Sequence, residues 1–140
     1  MIDPNKFLDS FIRNGITFFC GVPDSLLKDF LSTLEDNKNI KHIVSANEGL
    51  AVSLSAGYAM ASKKIPVIYL QNSGLGNIVN PLNSLTNSEV YSIPMIFIIG
   101  WRGQPGLIDE PQHMVQGRQT EAQISLLGID VSYITAETNF

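Results

Sequence analysis

Residues 94–100 read PMIFIIG, the most apolar run in the chain, and no polar residue alternates through it. A strand with one wet face shows a period of two, so a run with no polar face needs cover on both sides. A parallel sheet between two layers of helices supplies that cover. Three further short runs carry strand-forming residues: TFFCGV at 17–22, KHIVSA at 41–46 and IPVIYLQ at 65–71. Helical patterns separate them. The chain is therefore expected to be an α/β domain with a mostly parallel sheet and helices on both faces. Its strands are predicted near 17–21, 42–45, 66–71, 94–100 and 130–135 (DVSYIT), with 94–100 in the centre of the sheet.

The helices have legible starts. Asp3-Pro4 reads as an N-cap followed by proline at the first helical position, and Phe7, Leu8, Phe11 and Ile12 recur at helical spacing up to Gly15. Pro23 is expected to open a second helix carried by Leu26, Leu27, Phe30, Leu31 and Leu34. A third runs from about Asn47 to Ser62 and is rich in small residues, among them Gly49, Ala51, Ala56, Gly57 and Ala59. A fourth spans about Ile78 to Leu85 in spite of Pro81. Residues 101–118 (WRGQPGLIDEPQHMVQGR) lack periodicity and read as a long functional loop before a short helix at about 119–127.

At 140 residues the chain makes one domain, with 44% hydrophobic and 16% charged residues, enough for a core and too few charges for disorder. The net charge is −4 and the nine Lys and Arg are scattered, which argues against nucleic acid as a partner. The single cysteine, Cys20, excludes an intrachain disulfide and a cysteine-based zinc site. No apolar run reaches the ~20 residues of a membrane span, and no signal-peptide layout precedes Cys20. A cytoplasmic location is the expectation. Asp109 and Glu110 stand near His113, but no second histidine completes a metal set, and His42 at a strand start reads as structural.

Ligand sites in parallel sheets gather beyond the carboxyl ends of the strands. That rule selects 21–25, 46–49, 71–77 and 100–113, bringing Asp24, Ser25, Glu48, Gln71, Asn72, Asn77, Arg102, Asp109, Glu110 and His113 onto one rim. Glu48 is the most informative of these. Read from the residues alone, it either complements a helix N-terminus or serves as a buried functional carboxylate, with desolvation and the helix end pulling its pKa in opposite directions. The turn GLGN at 74–77 matches neither the phosphate-binding loop nor the full dinucleotide fingerprint, and a tight βα turn accounts for it equally well.

Four segments taken in order carry a resemblance: GVPDSLL at 21–27, ANEGLAVSLSAGYAMA at 46–61, QNSGLGNIVNPLNSL at 71–85 and DEPQH at 109–113. Together they resemble the N-terminal pyrimidine-binding (Pyr) domain of thiamine diphosphate-dependent 2-oxoacid decarboxylases. The resemblance is strongest to those acting on phosphonopyruvate, and next to the α subunits of those acting on sulfopyruvate. It implies a Pyr-type fold and thiamine diphosphate as cofactor. It places Glu48 on the aminopyrimidine, with Gln71, Asn72, Ser73, Gly74, Leu75 and Asn77 beside the cofactor. Asp24 and His113 are implied as catalytic acid–base groups, and Ser25, Arg102 and Arg118 as substrate-binding residues, since guanidinium suits phosphonate or sulfonate oxygens. The reaction implied is decarboxylation of 3-phosphonopyruvate to phosphonoacetaldehyde and CO2.

The GDG motif of the family's pyrophosphate-binding domain, which holds the diphosphate and Mg2+, does not occur in this sequence. The expectation is that the chain is a Pyr domain cut short at its C-terminus. Its complement would lie in the same longer chain or in a separate subunit, in a homo- or hetero-oligomer, and this part alone would be inactive. The third helix, with Gly49, Ala56 and Gly57, is the expected contact surface. A non-catalytic α/β module that kept the fold is the competing reading.

Overall fold

In a computed structural model, residues 2–138 and Phe140 are described. Among these, four parallel strands, β1 (Phe18–Gly21), β2 (Lys41–Val44), β3 (Val67–Gln71) and β4 (Ile96–Gly100), stand in the order β2-β1-β3-β4. Five helices surround them: α1 (Pro4–Arg13), α2 (Lys28–Asp36), α3 (Glu48–Ser62), α4 (Leu75–Pro81) and α5 (Pro111–Leu126). Successive strand residues point to opposite faces, and each face has its own core. Phe19, Val67, Tyr69, Ile96 and Ile98 meet Phe7 and Leu8 of α1 and Phe30, Leu31 and Leu34 of α2. Phe18, Cys20, Ile68, Leu70, Phe97 and Ile99 meet Ala51 and Val52 of α3, Leu75 and Ile78 of α4, and Ile124 of α5.

The helices begin where local chemistry satisfies their free amides. Asp3 Oδ1 accepts from the Asn5 and Lys6 amides at 3.0 and 3.3 Å, with Pro4 at the first helical position. Asn47 caps α3 by accepting from the Leu50 amide at 2.9 Å. Pro23, by contrast, opens no helix: Asp24 is extended, a 3-10 turn runs from Ser25 to Leu27, and α2 starts at Lys28. Leu26, placed in the core by the sequence pattern, is 56% exposed. After β3, a 3-10 turn (Asn72–Gly74) leads straight into α4, three residues earlier than predicted. Pro81 has no N–H to continue the ladder, and α4 gives way there to a π-helical turn, Leu82–Thr86.

The structure departs from the sequence pattern in three further places. The run 94–100 is covered on both faces but forms the edge strand among the described residues, while β3 holds the interior with Val67, Ile68, Tyr69 and Leu70 all at 0% exposure. Apolarity reports what lies above and below a strand, not which strands flank it. The segment 101–118 is not loop throughout, because α5 begins at Pro111. Its inward stripe is Gly117, Thr120 and Ile124, too small and polar to register as a hydrophobic period. Residues 130–135 pair with no strand and are largely exposed. Their tie to the body is Tyr133, which stacks on Trp101 at 6.0 Å and donates its hydroxyl to Glu121.

His42 has the structural role expected of it. Its Nε2 lies 2.7 Å from the hydroxyl of buried Tyr69, and burial pushes the imidazole pKa down and the phenol pKa up. Burial also pushes the Cys20 thiol up to about 11, leaving it an inert core residue.

Gly21 is the position where strand packing leaves no room for a side chain: a Cβ there would stand 2.0 Å from the Tyr69 carbonyl oxygen. Gly21→Ala is expected to cost about 1–3 kcal/mol, the usual range for forced overpacking. Urea unfolding should report this as a lower midpoint at unchanged slope. Gly57→Ala on α3, with nothing within 4 Å of the new Cβ, should be stabilising by about 0.5–1 kcal/mol, the helix preference for alanine.

Candidate functional site

Strand order places the topological switch between β1 and β3, since β2 lies outside one and β4 outside the other. The segments leaving the carboxyl ends of all four strands converge there. Glu48, the first residue of α3, reaches across to the start of α4, where Asn77 Nδ2 donates to its Oε2 at 2.7 Å. Gly74 makes this approach possible. A Cβ at that position would stand 2.5 Å from Glu48 Oε1 and 2.6 Å from its carboxyl carbon. The carboxylate is thus held by one oxygen, over a floor with no side chain. The apolar burial expected for Glu48 is not found: the residue is half-buried and its neighbour Asn47 is exposed. Gln71 is turned along the rim, its Nε2 donating to Ser73 Oγ at 2.7 Å.

Asp24 is different in kind. It is 5% exposed, and neither carboxylate oxygen has a hydrogen-bond partner of good geometry. It fits because β4 ends in Gly100, where a Cβ would fall 2.0 Å from Asp24 Oδ2. Burial pushes its pKa up. The nearby amides of Leu26 and Ser25 and the charges of Arg102 and His113 offset part of that rise. A buried acid whose pKa is raised, with the charge of a histidine felt nearby, is a candidate for proton transfer.

Arg102 is already engaged. Its Nε and Nη2 donate to Asp109 Oδ2 and Oδ1 at 2.8 and 2.5 Å, and its Nη1 donates to Ser25 Oγ at 2.8 Å. This two-pronged pair, together with the amides of Gly103 and Glu110, holds the Asp109 carboxyl well below the usual carboxylate range. Arg102 is therefore a brace across the rim rather than a free anion receptor. Arg118 is exposed on α5 and, among the described residues, forms no ion pair. His113 lies in the first turn of α5 and is half-buried, on a helix rather than in the loop expected.

Asn72 and Leu75 face inward. The Asn72 side chain is fully buried: Nδ2 donates to the Arg102 carbonyl and to Thr120 Oγ1, both at 2.8 Å, and Oδ1 accepts from the Arg102 amide at 3.2 Å. The Asn72 carbonyl accepts from Gln116 Nε2 at 3.0 Å. The Asn72 side chain, expected beside a cofactor, thus faces the core with its polar atoms already engaged. Leu75 is likewise a core residue at 1% exposure. Sequence reading missed Asp109 as the partner of Arg102, and Gln116 and Thr120 as partners of Asn72. Pairings across 7, 44 and 48 residues leave no local pattern.

The family described as thiamine pyrophosphate enzyme, N-terminal TPP binding domain, matches residues 6–124. The chain is 36% identical over 125 residues to the phosphonopyruvate decarboxylase of Streptomyces viridochromogenes, covering 89% of this chain and 31% of that protein. It is 39% identical over 90 residues to sulfopyruvate decarboxylase subunit alpha of Methanocaldococcus jannaschii, covering 64% and 52%. The chain thus spans about a third of the first relative and about half of the second. Benzoylformate decarboxylase from Polynucleobacter necessarius shares the fold, with a TM-score of 0.64 at 20% identity over 79% of this chain and 20% of that one.

The buried acid has a measurable consequence. Because the folded chain raises the Asp24 pKa above 3.8, the stability that its protonated form contributes is present below that value. It is lost as pH rises through the folded value. Asp24→Asn, which cannot ionise, should therefore raise the urea midpoint near pH 7, and the difference from wild type should shrink as the pH falls below the ordinary carboxylate range. Equal midpoints across that range would contradict the burial argument.

Proposed function

This chain belongs to the thiamine pyrophosphate enzymes, matching their N-terminal TPP binding domain, and on that premise we propose that it is the pyrimidine-binding half of a decarboxylase for an anionic 3-substituted pyruvate. The observation that carries the reading is the Glu48 carboxylate, held through Oε2 by Asn77 and set against the bare backbone of Gly74. A flat heterocycle with a ring nitrogen fits that arrangement, since it needs a carboxylate at its edge and no side chain beneath it. When bound, thiamine diphosphate would supply a carbon nucleophile and a sink for the electron pair left by departing CO2. Gln71, Ser73, Gly74 and Asn77 are the residues of this chain proposed to border it.

What the chain itself contributes is proton management. Glu48 would hold a proton shared with the ring nitrogen, with Asn77 fixing the carboxylate's orientation. Asp24, whose pKa burial raises, would deliver a proton to the carbon that loses CO2, and His113 near it would relay one during release of the aldehyde. The match to phosphonopyruvate decarboxylase over 89% of the chain favours 3-phosphonopyruvate as substrate, giving phosphonoacetaldehyde and CO2. A sulfopyruvate reading is supported separately by the match to an alpha subunit. In either case, the diphosphate and Mg2+ would be held by a separate pyrophosphate-binding domain or subunit.

Assembly belongs to the same proposal. Helix α3 is apolar almost all round: Ala51, Val52, Ala56 and Ala59 are buried, while Leu50, Leu54 and Met60 are 40–49% exposed. A helix with apolar residues on every side is ordinarily covered on every side. Of the small residues expected at the contact surface, not all are exposed. Ala56 packs inward with Ala59 and Ile93, and of the three named small residues Gly57 is the exposed one.

With its pyrophosphate-binding complement, Glu48→Gln is expected to fold normally yet lose nearly all turnover, because an amide cannot accept the ring-nitrogen proton. Near-normal turnover would overturn the cofactor assignment. Asp24→Asn and His113→Ala should each slow the reaction by about 10²–10⁴, the usual contribution of a general acid or base. Sedimentation of the purified chain should show self-association, and Leu54→Lys should reduce it.

A further inference from the structure

A cleft of about 310 Å3 opens beside the Asp24 rim, between the end of β1 and the outer face of α2. Asp24 and Ser25 form its inner end, Leu31 its apolar floor, and Lys28, Ser32 and Glu35 follow along the helix. On α2, Lys28, Ser32 and Glu35 fall three or four residues apart and share one face, and Ser25 in the preceding 3-10 turn borders the same space. Three ionisable groups thus border one small space, and among the described residues none is ion-paired.

The donors face the inner end. Ser25 Oγ already accepts from Arg102 Nη1, which leaves its O–H free to donate elsewhere. Lys28 borders the same space. Arg102, the cation that the sequence puts forward for an anionic substrate, spends three of its five N–H groups on Asp109 and Ser25, and its charge is shared with the Asp109 carboxylate. Arg118 sits on the exposed side of α5 and does not line the cleft. Glu35 at the outer end repels a second negative charge and so confines one to the Ser25–Lys28 end.

We infer that Lys28, with the hydroxyl of Ser25, receives the tetrahedral oxyanion of the substrate and so determines selectivity for phosphonate- or sulfonate-bearing 2-oxoacids over pyruvate. The inference rests on the proposed decarboxylase function and adds the residue that discriminates. The spacing Asp-Ser-x-x-Lys at 24–28 is plain in the sequence, but a helix predicted to begin at Pro23 hides its relation to the rim.

The test is made on the enzyme assembled with its pyrophosphate-binding half, using 3-phosphonopyruvate, 3-sulfopyruvate and pyruvate. In Lys28→Met, kcat/KM for the favoured anionic substrate relative to pyruvate should fall by about ten- to a hundredfold, mainly through KM, as loss of a charge-assisted hydrogen bond predicts. Lys28→Arg should restore most of the ratio, and Arg118→Met should leave it unchanged. An unchanged ratio in Lys28→Met, or a fall matched by Arg118→Met, overturns the inference. A wild-type enzyme that decarboxylates pyruvate alone sinks the substrate reading instead. Phosphonoacetate binding to this chain, followed by amide chemical shifts, then decides the role of Lys28. A Kd weakened about tenfold in Lys28→Met upholds it as the oxyanion site, and an unchanged Kd overturns it.

Discussion

The buried amide of Asn72 ties together three pieces of chain that would otherwise meet only at their edges. It stands at the end of β3, bonds both the N–H and the C=O of Arg102 after β4, and donates to Thr120 in the middle of α5. The side chain is removed from water, so each bond is made in a setting where leaving it unmade would be costly. Around it, backbone meets backbone. A Cβ on Gly117 would stand 1.8 Å from the Gly103 carbonyl oxygen, and Trp101 donates its indole N–H to the Gly117 carbonyl at 2.9 Å. Hence α5, with His113 in its first turn, is seated firmly against the strand ends that carry the rest of the rim.

With that frame in place, the rim sorts its charges. Arg102 and Asp109 neutralise each other and brace the segment between β4 and α5. Glu48 is steadied at one oxygen by an amide that adds no charge. Among the described residues, Asp24 is the one carboxylate buried without a partner, a costly arrangement that a chain selected only for stability would remove. This acid, packed against Gly100 at the end of β4, and the carboxylate set over Gly74 both lie beyond the carboxyl ends of the strands.

The domain is self-sufficient in its core and incomplete on its surface. Both faces of the sheet are filled, yet α3 leaves large apolar side chains in water, and the chain matches only 31% of one relative's length and 52% of another's. An apolar surface that costs solvation in isolation is the kind of surface the proposed assembly would cover.

Sequence by itself determined the fold class, because covering an apolar strand on both faces leaves few options. It also placed the segments that follow all four strands, with Asp24, Glu48, the 71–77 turn and Arg102, on one rim through the rule that parallel strands open their sites at one end. Helix starts capped by local side chains, at Asp3 and Asn47, were legible for the same reason: their partners lie two or three residues away. Tertiary structure decided the rest. Strand order, the early start of α5 on a stripe of glycine and threonine, the inward turn of Asn72 and the capture of Arg102 by Asp109 all depend on partners distant in the chain or on backbone contacts without side chains. Residues 130–135 have the composition of a strand, but a strand exists only where a neighbour accepts and donates its hydrogen bonds, and composition cannot supply that neighbour.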